Sequence, residues 1–383
     1  MKTGLEMQAL NLNDPFKERR KVMSDRLKIT FRIVKSHFSL IAITLLILVA
    51  TLNGCRKSTS EQPVGKSEKL RFVFLADSRG DSLSNAVNLP VLNAIISQIG
   101  ALSPKPSFVI FGGDMAYRGY IKPSFTFQAW KDLFAPLGSR IPLYTVIGNH
   151  ELYHQHASYG FLLVNQQEYQ KVFSENPTNG PTGYEHMAYS FTSQGGNSFF
   201  AVLDPYYISQ DTVHMGLGGN IDSTQMTWLK AQVSQSTARH KFLFIHTPYY
   251  YFSDDTTELS ISNQSFTVLW SFLDANKFDF YACGHSHLFS RKTIDSSILP
   301  DPPTTPPTPA WKNNVVQLLN GTCGAIISPN TIDANTKTYW NVHNDPNTYY
   351  FTVVDISGNS VTVNSYRGNT GAYSLFDTFT INK

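Results

Sequence analysis

Five short polar segments follow one another along this chain, each directly after, or within two residues of, an apolar run short enough to be a buried strand. The segments are Asp77-Ser78-Arg79-Gly80, Gly113-Asp114-Met115-Ala116-Tyr117, Gly148-Asn149-His150-Glu151, His246-Thr247-Pro248 and Gly284-His285-Ser286-His287. The runs before them are residues 70–76, 108–111, 143–147, 242–245 and 278–282. In an open α/β sheet, polar residues at the carboxyl ends of several strands converge on one crevice. The pattern therefore predicts an α/β domain with its chemistry gathered at a single strand-end site.

At 383 residues the chain suffices for one large α/β domain with a full core, or two small ones. With 42% hydrophobic, 13% aromatic and 15% charged residues, it has the composition of a folded globular protein. Its net charge of +3 is too mild to argue for a nucleic-acid partner, and the basic residues gather near the amino terminus instead of forming a stripe on the body.

Strand-like runs alternate with amphipathic stretches, the pattern of a sheet covered by helices. Residues 87–102 place Val91, Leu92, Ile95, Ile96 and Ile99 at helical spacing, residues 224–233 do so with Trp228 and Leu229, and residues 262–273 are a third candidate. A hairpin is expected from 189–192 and 199–203, turning at Gln194-Gly195-Gly196-Asn197. The carboxyl end is strand-rich at 349–356, 360–366 and 374–381. Residues 153–181 read as an insertion at the rim of the site, and 300–309 as an extended loop.

Residues 1–55 read as a targeting segment. Arg26, Lys28, Arg32 and Lys35 precede the apolar stretch 38–52, which is short for a spanning helix of roughly 20 residues and suits a signal-peptide core. Leu52-Asn53-Gly54-Cys55 then resembles a bacterial lipobox, which implies export and attachment to the membrane of the cell envelope through lipid on Cys55. Asn53 departs from the small apolar residue usual there, so an uncleaved anchor with Cys55 as an ordinary thiol is the other reading, and Met23 is an alternative start. Residues 56–69 form a polar tether, and 70–383 a single catalytic domain. Cys283 and Cys323 remain in the body, as a disulfide or as two buried thiols, since spacing alone does not decide.

The ordered segments resemble the calcineurin-like metallophosphoesterase superfamily, and within it most closely the purple acid phosphatase branch, over residues 70–325. A lone Gly-Asn-His-Glu is weak evidence; five motifs in order, each after a strand, are specific. The resemblance implies a four-layer α/β fold, two facing mixed β-sheets flanked by helices, with the last strands completing the second sheet. It implies an enzyme that hydrolyses phosphate esters with two metal ions. Two cations about 3.5–4 Å apart clamp the ester, lower the pKa of a bound water and stabilise the attacking and leaving oxygens.

By the same resemblance Asp114 bridges the ions, Asp77, Tyr117 and His287 complete site one, and Asn149, His246 and His285 complete site two. His285 and His287 are two apart, so an extended segment would send both to one face. His150 corresponds to the catalytic histidine near the leaving oxygen. Glu151 is expected to orient His150 or a metal-site water. Arg79 is expected to hold a phosphate oxygen, or else to pair with Asp81 or another nearby carboxylate. Arg291 is expected to be structural, Asp204 to position loops, and His154, His156, His186 and His214 to lie on the surface.

Many superfamily members have Asp-x-His as the first motif, and this chain has Arg79 where that histidine stands. It has Tyr117 three residues after Asp114, where purple acid phosphatases carry a tyrosine ligand. A phenol of pKa near ~10 ionises at neutral pH only against a strongly polarising cation. Ferric iron is therefore expected at site one, with zinc, manganese or ferrous iron at site two. Two divalent ions are the alternative, with Tyr117 a wall residue beside Tyr120. The substrate is a small phosphate ester: a phosphomonoester first, with a phosphodiesterase or nucleotidase as the alternative. A non-catalytic surface binding protein on the same scaffold is a further alternative, against which the retention of all six non-tyrosine ligands weighs.

Overall fold

A computed structural model describes residues 68–119, 126–153, 160–211, 219–252, 259–261, 264–296, 311–327, 332 and 334–383. The expected signal segment, Cys55, Tyr120, His154, His156, His214 and the 300–309 loop lie outside the described residues. From the amino end the elements are β1 (Lys69–Leu75), α1 (Leu89–Ala101), β2 (Phe108–Phe111), α2 (Phe127–Asp132), β3 (Leu143–Thr145), α3 (Asn149–Leu152) and α4 (Leu163–Val172). There follow β4 (Tyr189–Thr192), β5 (Ser198–Val202), α5 (Ser223–Gln235), β6 (His240–Phe244), β7 (Tyr250–Phe252), β8 (Leu259–Ile261) and α6 (Gln264–Ala275). The chain ends with β9 (Phe280–Cys283), β10 (Phe289–Ile294), β11 (Val315–Asn320), α7 (Ala334–Trp340), β12 (Val342–His343), β13 (Tyr349–Ser357), β14 (Ser360–Gly368) and β15 (Tyr373–Asn382).

Two mixed sheets result, ordered β15-β14-β13-β1-β2-β3 and β12-β10-β11-β9-β6-β5-β4. In the first, β1, β2 and β3 are parallel, with Phe72 opposite Phe108. In the second, β5, β6, β9 and β11 are parallel. Period-two alternation sorts the side chains. Phe72, Phe74 and Ala76 point between the sheets, whereas Val73 and Leu75 lie under α1 with Val91, Leu92, Ile95, Ile96 and Ile99. On the far side Leu243, Ile245, Tyr281 and Cys283 pack beneath α5 and α6. Phenylalanine rings lock the middle layer: Phe72 stacks on Phe108 at 5.3 Å and meets Phe200 edge-on at 5.4 Å. Such pairs add about 0.5–1.5 kcal/mol each beyond burial, and the Phe72–Phe200 contact ties one sheet to the other.

Three expectations are corrected. The last strands join the first sheet, not the second, with β13 antiparallel to β1. Both faces of β13 call for that place, since Phe351 and Val353 pack in the layer of α1 while Tyr350, Val354 and Ile356 face the core between the sheets. Cys283 and Cys323 are buried free thiols, so the disulfide alternative falls. Glu68, assigned to the tether, instead clamps the β4–β5 turn, accepting from Ser193 Oγ and the Gly195 and Asn197 backbone N–H groups. Among the described residues no helix is long and apolar enough to cross a membrane.

Candidate metal centre

All five polar segments lie just beyond the carboxyl ends of β1, β2, β3, β6 and β9, and backbone hydrogen bonds stitch them together. Asp77 N–H donates to Gly113 O at 3.0 Å and Gly284 N–H to His246 O at 2.9 Å. Cys323 and Ala325 donate to Ala76 O and Asp77 O, tying the loop after β11 in the second sheet to the loop after β1 in the first. Two glycines allow closer approach than any side chain would. A Cβ on Gly284 would collide with the Asp77 carboxylate, and one on Gly148 with Asp114.

Asp77, Asp114 and His285 hold φ of 61°, 56° and 73°, in the left-handed region that non-glycine residues enter at a cost of order 1–3 kcal/mol. Three strained residues at one site indicate a backbone shaped to aim side chains. The strain also corrects the extended reading of the last motif. Residues 284–288 form a tight turn, with Ser286 N–H on Gly284 O and Leu288 N–H on Ser286 O, and both histidines still reach inward.

Ligand atoms of Asp77, Asp114 and His287 lie within 4.8 Å of one another, and all three residues are buried. His287 Nε2 is 3.7 Å from Asp77 Oδ1. Beside them Asn149 Oδ1 and His285 Nδ1 come within 3.1 Å. His246 is turned by its Nδ1, 2.7 Å from Gly112 O, so that Nε2 stands 3.2 Å from Asp114 Oδ1. Among the described residues that buried Nε2 has no well-directed hydrogen bond beyond this ionic contact. Burial pushes the Asp77 carboxyl well above its ordinary value. Asp114 is buried too, yet the charges of His246 and His150 hold it well below. Buried carboxylates and an unsatisfied imidazole nitrogen, all oxygen and nitrogen donors converging from several loops, fit a cation site.

The other candidates divide. Arg79 Nε is buried, makes no hydrogen bond among the described residues and lies 3.9 Å from Asp114 Oδ2. Asp81 is engaged instead by Ser82 and Asn85, so the carboxylate that Arg79 pairs with is Asp114 and not Asp81. His150 places Nε2 3.9 Å from the same Asp114 oxygen, while its Nδ1 faces the Tyr117 carbonyl in a short contact. Burial first, then the charge of Arg79, holds its imidazole below the ordinary value. Tyr117 is half-buried, its ring centroid 6.2 Å from that of His150 and 5.5 Å from the Arg118 guanidinium. Its ring thus meets His150 and Arg118, and it packs against the core layer of α1.

The Glu151 carboxylate is engaged by main-chain N–H groups and not by the His150 ring. Oε2 accepts the N–H groups of Asp114 at 2.8 Å and Gly148 at 2.6 Å, and Oε1 that of Met115 at 2.7 Å. The acid thus fastens the second motif to the third, and burial pushes its carboxyl up to about 7. Arg291 makes a two-pronged pair with Asp377, consistent with a structural role. Asp204 accepts the Tyr206 N–H at 2.7 Å and so shapes the loop after β5. His186 is partly buried, its ring on Asn176 O. Tyr153 was missed: its Oη accepts from Asn149 Nδ2 at 2.9 Å, and its four-residue offset on α3 was a readable signal.

A buried cluster of carboxylates and imidazoles at the joined edges of two facing sheets is suited to holding metal ions. The family model for calcineurin-like phosphoesterases matches residues 70–289, more than half of the chain. The chain belongs to that family. Among solved structures it is similar to the purple acid phosphatase PPD1 of yellow lupin (Lupinus luteus) seeds, with a TM-score of 0.54 at 14% identity, over 83% of this chain and 54% of that one. PhoD is similar with a TM-score of 0.55 at 13% identity, over 82% of this chain and 70% of that one. The chain thus spans about half the length of the lupin enzyme, and at these identities the likeness speaks to the fold. No curated protein matches it in sequence.

Proposed function

We propose that this hydrolase is a dinuclear phosphatase of phosphomonoesters, exported and held at the cell envelope by lipid on Cys55. The observation that carries the catalytic reading is the convergence of Asp77, Asp114 and His287 within 4.8 Å, with Asn149, His246 and His285 beside them. Asp114 would be shared by two ions. Asp77 and His287, joined by Tyr117, would hold one, and Asn149, His246 and His285 the other. When bound, the pair supplies adjacent positive charge against the phosphate and acidifies a water for attack on phosphorus. An iron(III)–divalent pair is the first assignment, resting on the position of Tyr117; a pair of divalent ions needs no oxygen from that residue.

The protein's own groups supply the rest. Arg79, with Nε buried and unsatisfied next to Asp114, offers fixed charge to a phosphate oxygen. His150 donates from Nδ1 to the Tyr117 carbonyl, which leaves Nε2 facing the site, where it would pass a proton to the departing oxygen in the imidazolium form. The fixed charge of Arg79 beside the site favours a dianionic monoester over a singly charged diester, and this supports the choice of substrate.

Metal analysis with turnover of p-nitrophenyl phosphate and of its bis-ester tests the reading. Two ions per chain and faster monoester cleavage are expected. Faster diester cleavage would make the enzyme a phosphodiesterase, and tight metal binding without turnover of either ester would make it a binding protein. The lipid anchor is tested by detergent partitioning, which wild type should show and Cys55→Ser should lose.

A further inference from the structure

Tyr153 stands at the end of α3, four residues after Asn149 and three after His150. Those two spacings put all three side chains on one side of the turn. Tyr153 is 6% exposed, and its phenol oxygen accepts from Asn149 Nδ2 at 2.9 Å. Its ring meets that of His150 edge to face, with centroids 4.8 Å apart and planes at 70°. The backbone beneath is fixed from α4, where Asn165 Nδ2 donates to the carbonyls of Leu152 and Tyr153. Phe161 closes the far side through a β-bridge and a ring contact with centroids 5.4 Å apart.

An asparagine amide has one oxygen and one NH₂, and only the oxygen can bind a cation. Which end faces the site is decided by the partner of the other end. We infer that Tyr153 is the positioning residue of this site: its hydroxyl captures the Asn149 NH₂ so that Oδ1 is presented beside His285, and its ring braces His150. This rests on the two-metal reading above. It assigns one side chain to two separable tasks, because the hydroxyl serves the ligand and the ring serves the histidine. Tyr153→Phe removes the first contact and keeps the second; Tyr153→Leu removes both.

The test is calorimetric titration of the metal-free protein with zinc, followed by p-nitrophenyl phosphate kinetics at saturating zinc. Tyr153→Phe should bind one ion as wild type does and the other about 10–100-fold more weakly, as loss of a group that orients a ligand typically costs. At saturating zinc its kcat should stay within a fewfold of wild type, whereas Tyr153→Leu should also lose kcat, most for poor leaving groups. The decisive arm is the Asn149→Asp background. A carboxylate offers oxygen from either end, so Tyr153→Phe should there cost little further affinity, and a purely structural role for the ring would give no such coupling. Equal zinc affinities for wild type and Tyr153→Phe would overturn the inference and leave the phosphatase reading standing. The same weakening in both backgrounds would overturn it too. A wild-type protein that takes up only one zinc ion would instead sink the two-metal reading and this inference with it.

Discussion

The Glu151 carboxylate accepts the backbone N–H of Asp114 at 2.8 Å, so one acid holds the main chain of the residue whose side chain stands at the centre of the site. It holds Gly148 and Met115 as well. Glu151→Gln keeps the volume but turns an NH₂ donor toward at least one of these N–H groups. Each buried donor left unsatisfied costs roughly 1–3 kcal/mol. Denaturant unfolding should show a loss of that size, and metal analysis a reduced content although the metal ligands proposed above are all intact. Unchanged stability and full metal content would show that the three hydrogen bonds do not organise the site.

His150 should behave as a proton carrier outside the ligand sets. His150→Ala is expected to keep metal stoichiometry while losing about 10²–10⁴-fold in kcat, most for poor leaving groups. Burial holds the imidazole below its ordinary value, so the proton-bearing form is populated on the acid side. Wild-type kcat should therefore fall as pH rises, and the variant should lose that limb of the profile. Loss of a metal ion from the variant would make His150 a ligand.

Tyr117 separates the two metal assignments. A phenolate on ferric iron gives a visible charge-transfer band, so iron-loaded protein should be pink to purple and Tyr117→Phe should bleach it. The substitution should weaken site one more than site two, because it removes an anionic donor from the harder ion. A colourless wild type fully active with two manganese or zinc ions would return Tyr117 to the pocket wall, beside His150 and Arg118 where its ring contacts lie.

Asp204 predicts a pH dependence of stability away from the metal ligands. It is fully buried, and burial, offset in part by the Tyr206 N–H, pushes its carboxyl up to about 7. In the unfolded chain an aspartate titrates near ~3.9. Between the two values the folded state holds the extra proton, so this residue's contribution to stability falls as pH rises through that window. Asp204→Asn removes the titration. Its stability relative to wild type should therefore be greater at about pH 8 than at about pH 5. Parallel pH dependences for the two proteins would show that Asp204 does not titrate in this way.

Much of this protein could be read from its residues in order. Apolar runs with a polar segment after each give parallel strands with chemistry at their carboxyl ends, and β2 lies where its run does, at Phe108–Phe111. The ligand candidates were legible for the same reason: aspartate, asparagine and histidine at strand ends have no packing role that would otherwise put them there. Tertiary structure decided what depends on partners far away in the chain. Strand periodicity says that β13 is buried on both faces but not which sheet receives it, and its pairing with β1 spans nearly the whole domain. Cys283 at the end of β9 and Cys323 in the loop after β11 are compatible with a bond or with none, and only the fold leaves them as separate buried thiols. Glu151 next to a histidine suggests a catalytic neighbour, yet its carboxylate is claimed by N–H groups that come into reach only when the loops after β2 and β3 meet. A sequence states which groups are available, and the satisfaction of buried donors and acceptors across loops assigns them their partners.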